Sequence, residues 1–142
     1  MDIGCGPGYF TIPMAQMAGE TGRVIAVDLQ KSMLDKMLYR AELLGLGGRL
    51  EAIQCKPDDI MVREQADFIL SFWMVHEVRD AGLFFRQVAA AMKKDSRYLL
   101  VEPKFHVTGK RYGRITGRAE AAGLKPIEEP SVPLSRSVLF SL

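Results

Sequence analysis

The sequence predicts an α/β fold: a doubly wound, mainly parallel sheet with a C-terminal antiparallel hairpin and a truncated first strand. Three observations carry this. Apolar runs of strand length alternate with segments of helical periodicity along the whole chain. The glycine-rich and acidic motifs fall at the carboxyl ends of those runs, where such sheets bind ligands. The 142 residues, 48% hydrophobic and 25% charged, suit a single domain over 1–142 that buries roughly two-thirds of its unfolded surface.

Taken in order, "MDIG" is the tail of a strand with few residues to pair on either side. A glycine loop and a short helix near 11–18 follow. "RVIAVDL" (23–29) is a continuous apolar run ending in an acid, as a strand buried on both faces requires. Residues 31–45 place Met33, Leu34, Met37, Leu38, Ala41 and Leu44 on one helical stripe. "RLEAIQC" (49–55) and "ADFILSFWM" (66–74) read as the third and fourth strands. A helix over 79–93 carries Leu83, Phe84, Val88 and Met92 inward, and "RYLLVEP" (97–103) is a fifth strand stopped by Pro103. A weaker helix covers 108–122, closed by Gly123. The runs 124–129 and 136–142, joined by "PSVPLS", pair antiparallel.

A net charge of +2 is too small to argue for nucleic acid or an anionic membrane. No apolar run approaches the ~20 residues that span a bilayer. Cys5 and Cys55 fit no metal spacing and read as small, reduced residues of core or loop. The expectation is a cytoplasmic globular protein with no metal site.

Gly4, Gly6 and Gly8 let a strand turn sharply into a helix and let backbone approach a ligand. Asp28 ends the second strand 20 residues after Gly8. In a doubly wound sheet that end borders the same crevice, where a carboxylate can accept from both hydroxyls of a ribose; alternatively the acid caps helix 31–45. A dinucleotide fingerprint would place its third glycine at Tyr9, so the pattern argues against a pyrophosphate site and a nicotinamide-dependent oxidoreductase.

"DIGCGPGYFT", "VIAVDLQKSML" and "ADFILSFWMVHEV" together resemble the class I S-adenosylmethionine-dependent methyltransferases, a Rossmann-like family. They are especially similar to its small-molecule and quinone methylases. The resemblance implies S-adenosyl-L-methionine as cofactor and a small-molecule acceptor. Gly4, Gly6 and Gly8 would lie against its methionine part, and Asp2 would meet its ammonium through water. Asp28 would take the ribose, Leu29 the adenine, and Ser71 and Phe72 the neighbourhood of the sulfonium.

Two departures stand out. Where the family has a G-D-A-like turn after the third strand, this chain has "IQCKPDDI". Lys56 cannot accept from an adenine amino group, and Pro57 has no N–H to donate. Either Asp58 or Asp59 takes that place, or adenine is held by stacking and burial. The family also has helices ahead of "DIGCG", so apolar surface near the first strand is expected to favour a homo-oligomer or a partner chain.

His76 and Glu102 are the candidates for a catalytic base, each near a strand end on the crevice side. His76 can equally pack or cap locally, and His106 reads as solvated. Trp73 either packs in the core or stacks on a planar substrate. Gly109, Gly113 and Gly117 recur every fourth residue, as for close backbone packing, beside a basic stripe of Lys110, Arg111, Arg114 and Arg118. A non-catalytic binding protein on the same fold, with a degraded cofactor site, is the alternative to an enzyme.

Overall fold

The computed structural model describes residues 1–142. Its strands are β1 (Asp2–Ile3), β2 (Val24–Asp28), β3 (Leu50–Gln54), β4 (Ala66–Phe72), β5 (Met92–Pro103), β6 (Lys125–Glu128) and β7 (Ser135–Ser141). Its helices are α1 (Thr11–Met17), α2 (Lys31–Leu43), α3 (Ala81–Ala90) and α4 (Gly109–Ala121). All strands join one sheet in the order β3-β2-β1-β4-β5-β7-β6. β1 to β5 run parallel, and β7 runs antiparallel to both β5 and β6. The predicted fold class is the observed one. Strand order reverses between β1 and β4, which opens a crevice at their carboxyl ends.

β1 is short yet central. Asp2 pairs with Ala26 on one side and Leu70 on the other, and Ile3 with Val27 and Ser71. The Met1 carbonyl extends the ladder by accepting from the Leu70 N–H at 2.9 Å. Side chains alternate across the sheet. Ile3, Val27, Ile69, Tyr98, Leu100 and Phe140 therefore share one face and pack on Phe84, Phe85 and Val88 of α3 and Ile115 and Ala119 of α4. Phe85 and Tyr98 are fully buried there, and truncating such a core aromatic costs about 3–5 kcal/mol. The opposite face is covered by α1 and α2 through Cys5, Ala26, Leu34 and Met37, and through Ile12, Ala41 and Leu46.

Two helices end alike. Gly45 (φ +67°) donates to the Glu42 carbonyl and Leu46 to that of Ala41. At the end of α4, Gly123 (φ +95°) donates to Glu120 and Leu124 to Ala119. Each is a Schellman arrangement, in which the residue after glycine folds back apolar. This corrects the stripe read for α2. Leu44 is exposed, and Leu46, beyond the helix, is the buried residue.

Three further expectations change. Met92 is buried, but as the first residue of β5, paired with Ala66 rather than within the helix. α3 ends at Ala90, and nothing in the local sequence separates it from the strand. Leu83 is only half-buried, with Phe85 turned inward in its stead. Gly113 and Gly117 face open space: a Cβ on either would meet nothing within 4 Å, so they serve no close packing within this chain.

Candidate functional site

A cavity of about 740 Å³ opens over the carboxyl ends of β1, β2, β3 and β4, at the reversal in strand order. This lies within the ~300–1,000 Å³ typical of small-molecule sites. Gly4, Asp28, Leu29 and Phe72 stand on its wall, with Cys55, the turn 56–59 and Trp73. Asp2, Gly6, Gly8, Ser71, His76 and Glu102 do not line it.

The three loop glycines divide the work. All have left-handed backbones, at φ +75° (Gly4), +51° (Gly6) and +85° (Gly8). A Cβ on Gly4 would sit 2.6 Å from Met74 Cγ, and one on Gly8 2.5 Å from Met37 Cγ. These two glycines let the loop press against the segment after β4 and against α2. A Cβ on Gly6 would meet nothing, so the open side of the loop is there. Arg40 of α2 clamps the loop by donating to the Pro7 carbonyl at 2.7 Å. Tyr9 is exposed, and the tight packing of a third glycine falls to Gly8.

Asp28 is fixed by backbone. Its Oδ2 accepts from the Gly6 N–H and its Oδ1 from the Gln30 N–H, both at 2.8 Å. It does not cap α2, whose N-cap is Gln30 without a side-chain bond. A carboxylate has about four lone-pair sites, so two remain for a ligand on the cavity wall. Leu29 beside it is half-exposed and apolar.

Asp2 is buried on the α1 side of β1. Thr11, in the first turn of α1, donates to its Oδ2 at 2.5 Å. Burial, more than anything else near it, pushes the Asp2 carboxyl above its ordinary range. A carboxylate already placed at that helix start disfavours a second anion, which agrees with the absence of a pyrophosphate fingerprint. Ser71 is fully buried with no partner for its hydroxyl. It pairs with Leu100 and faces α3, while Phe72, one residue on, faces the other way and packs against Phe10.

The turn after β3 separates the two acids. Lys56 N–H donates to the Asp59 carbonyl at 2.8 Å, closing a tight reversal. The Asp59 carboxylate accepts from the Met61 N–H and pairs with Arg63 at 3.0 Å, the Arg63 hydrogen bond holding it below the usual carboxylate range. Asp58 makes no side-chain hydrogen bond and stays exposed on the wall. Gln87 of α3 brackets the turn, accepting from Ile60 N–H at 2.8 Å and donating to the Asp58 carbonyl at 2.7 Å.

The structure brings His76 and Glu102 together. His76 Nδ1 lies 2.5 Å from Glu102 Oε2, and Glu102 Oε1 accepts from the Val75 and His76 N–H groups. Glu102 is fully buried, which pushes its carboxyl upward, while the His76 contact pulls it back down. Arg111 of α4 donates to the His76 carbonyl at 2.5 Å, so one member of the basic stripe is structural. The pair thus ties the segment after β4 to β5 and α4, from behind the cavity wall.

Sequence reasoning missed Gln87, Arg40 and the bond from Arg111, because each reaches a partner more than 25 residues away. It also missed the backbone of Trp73, which is left-handed at φ +58°.

The family profile described as "Methyltransferase domain" matches residues 1–122. A ubiquinone/menaquinone biosynthesis C-methyltransferase UbiE of Pseudoalteromonas translucida is 28% identical over 116 residues, 79% of this chain and 46% of that protein. A ubiquinone biosynthesis O-methyltransferase of Nitrobacter winogradskyi is 34% identical over 95 residues, 66% of this chain and 34% of that one. The chain therefore spans less than half the length of these curated relatives. A solved SAM-dependent methyltransferase from Aquifex aeolicus shares the fold, with a TM-score of 0.85 at 21% identity, over 98% of this chain and 79% of that one.

Proposed function

The chain belongs to the methyltransferase domain family, in the class I S-adenosylmethionine-dependent group, and we propose that residues 1–142 bind S-adenosylmethionine in the crevice and transfer its methyl group to a small-molecule acceptor. The observation that carries this is Asp28: a carboxylate on the cavity wall, oriented by the Gly6 and Gln30 N–H groups, with acceptor capacity left over.

The residues present fit the cofactor. Gly6 stands off the cavity wall and serves it through its N–H, which holds the Asp28 carboxylate at 2.8 Å. Asp28 takes the ribose hydroxyls, and Leu29 supplies an apolar surface for the adenine. Asp58, the acid on the wall without a partner, accepts from the adenine amino group in place of the residue that Lys56 displaces. Asp2 acts through its charge from beneath the loop.

The bound cofactor supplies a methyl carbon activated by a sulfonium, open to in-line displacement by the acceptor's nucleophile. The protein's part is to orient that nucleophile and exclude water, and Phe72 and Trp73 form the apolar wall that does so. His76 and Glu102 stand off the wall, so we assign them to positioning the segment that carries Trp73. The names of the curated relatives, both of ubiquinone biosynthesis, support a small-molecule acceptor. A cytoplasmic setting belongs to the same proposal.

Calorimetric titration of the folded chain with S-adenosylhomocysteine tests it, beside Asp28→Ala. Binding in the parent that weakens about ten- to a hundredfold in the variant is expected, for one or two hydrogen bonds to a charged group. No binding by folded parent protein would support a non-catalytic role for the fold instead.

A further inference from the structure

We propose that Trp73 is the platform on which the acceptor is seated, and that the acceptor presents a planar aromatic ring to it. This rests on the reading of the crevice as an S-adenosylmethionine site.

Strand order runs β3, β2, β1, β4, β5, β7, so the cavity wall passes from the turn after β3, through Asp28 and Gly4, to Phe72 and Trp73. With ribose at Asp28 and adenine toward β3, the reactive end of the cofactor points toward β4. Trp73 stands there, at the far end from the adenine.

The conformation of Trp73 is costly and well supported. A bulky residue in the left-handed region costs roughly 1–2 kcal/mol, and such strain gathers at functional sites where surroundings over-determine it. Here the Trp73 N–H donates to the Val101 carbonyl at 2.8 Å. Its indole Nε1–H donates to Ser135 Oγ at 2.9 Å, while the Ser135 hydroxyl itself donates to the Pro133 carbonyl at 3.1 Å. That second bond turns the Ser135 lone pairs toward the indole. A tryptophan serving only as core filler would be buried, but Trp73 keeps 37% of its surface exposed, on the cavity wall.

Its neighbours are aromatic too. Phe72 lies 5.2 Å away at 34°, and the exposed Phe105 meets it edge-on at 5.3 Å. A fixed, flat, half-dry indole favours a ring that can stack on it over a saturated ring of equal size. Trp73 therefore selects for planarity, and Ser135 at the start of β7 is the positioning residue that sets its angle.

Trp73 is the only tryptophan, so its indole N–H resonance reports on this site alone. The first measurement is the S-adenosylhomocysteine titration. Its failure in folded protein overturns the cofactor reading, and this proposal with it. The saturated complex, ¹⁵N-labelled, is then titrated with 2-naphthol and with decahydro-2-naphthol, its non-planar counterpart. We expect 2-naphthol to shift the indole resonance saturably and to bind roughly three- to tenfold more tightly, the range for an aromatic pair beyond its buried area. Calorimetry should show that preference lost in Trp73→Leu and reduced in both Trp73→Phe and Ser135→Ala, each of which removes the bond between the ring at 73 and Ser135, with affinity for S-adenosylhomocysteine intact in Ser135→Ala. Equal binding of the two alcohols, or 2-naphthol binding unchanged in Trp73→Leu, overturns the proposal while leaving the cofactor reading in place.

Discussion

Glu102 organises the end of β4 without touching the cavity. From β5 it receives the N–H groups of Val75 and His76 on one oxygen and faces His76 Nδ1 at 2.5 Å with the other. Glu102→Ala would leave all three groups without their partner, and a buried polar group left unpaired costs about 1–3 kcal/mol. Urea unfolding should show a loss of that order. Glu102→Gln, which keeps an acceptor oxygen, should lose less. An unchanged midpoint in the alanine variant would remove the structural role assigned to the pair.

The glycine loop predicts a crossed pattern. In Gly8→Ala the new Cβ falls 2.5 Å from Met37 Cγ, and Met37 is fully buried. Overpacking of that kind costs about 1–3 kcal/mol. Gly6→Ala finds open space and should lose only about 1 kcal/mol to its left-handed backbone. Affinity for S-adenosylhomocysteine should rank the other way among folded variants, with Gly6→Ala the more harmful. Trimming Met37 in Gly8→Ala should restore part of the stability but leave Gly6→Ala unaffected.

The two acids after β3 should separate cleanly. Asp58→Ala removes a carboxylate with no partner in the chain, so stability should not move, while affinity for S-adenosylhomocysteine falls about three- to tenfold, the value of one net hydrogen bond. Asp59→Ala breaks the bonds to Met61 and Arg63 and should loosen the turn. The Asp59 carboxyl is held low by Arg63. Its stabilisation is therefore present at neutral pH and lost as pH falls through the folded value, below the ordinary 3.8. Affinity and acid melts of both variants decide whether the assignment is reversed.

Asp2 gives a pH prediction of opposite sign. Burial raises its carboxyl above the ordinary 3.8, so the folded protein binds the proton more readily than the unfolded chain. Its contribution is complete below 3.8 and declines as pH rises through the folded value. Asp2→Asn keeps an acceptor for Thr11 without the charge, and should be more stable than the parent at neutral pH, with a flatter profile above pH 4. Thermal melts from pH 3 to 8 check this; a parent profile no steeper than that of the variant would contradict it.

What could be read in advance followed local rules. Val24 to Asp28 is apolar without interruption because both faces of β2 are covered. Gly123 ends α4 because the following turn needs a left-handed residue. The Leu44 and Met92 expectations failed at element ends, where a fold-back after glycine and a strand pairing with Ala66 outweighed helical period. Asp28 was legible because a strand end and a glycine loop at the right separation must share a crevice in this topology. Its two N–H partners were not, since Gly6 reaches it only after β1 and β2 are side by side.

By itself, then, the sequence determined the alternation of strands and helices, the turn glycines and the acid at the end of β2, all written in contacts a few residues apart. Tertiary structure decided the rest. It joined Glu102 to His76 across 26 residues, gave Asp59 but not Asp58 a partner, and placed Trp73 in a left-handed backbone bonded to Ser135. The physical reason is common to these. Each depends on which strands lie next to one another and on side chains meeting across that order, and neither periodicity nor propensity encodes a distance between residues so far apart in the chain.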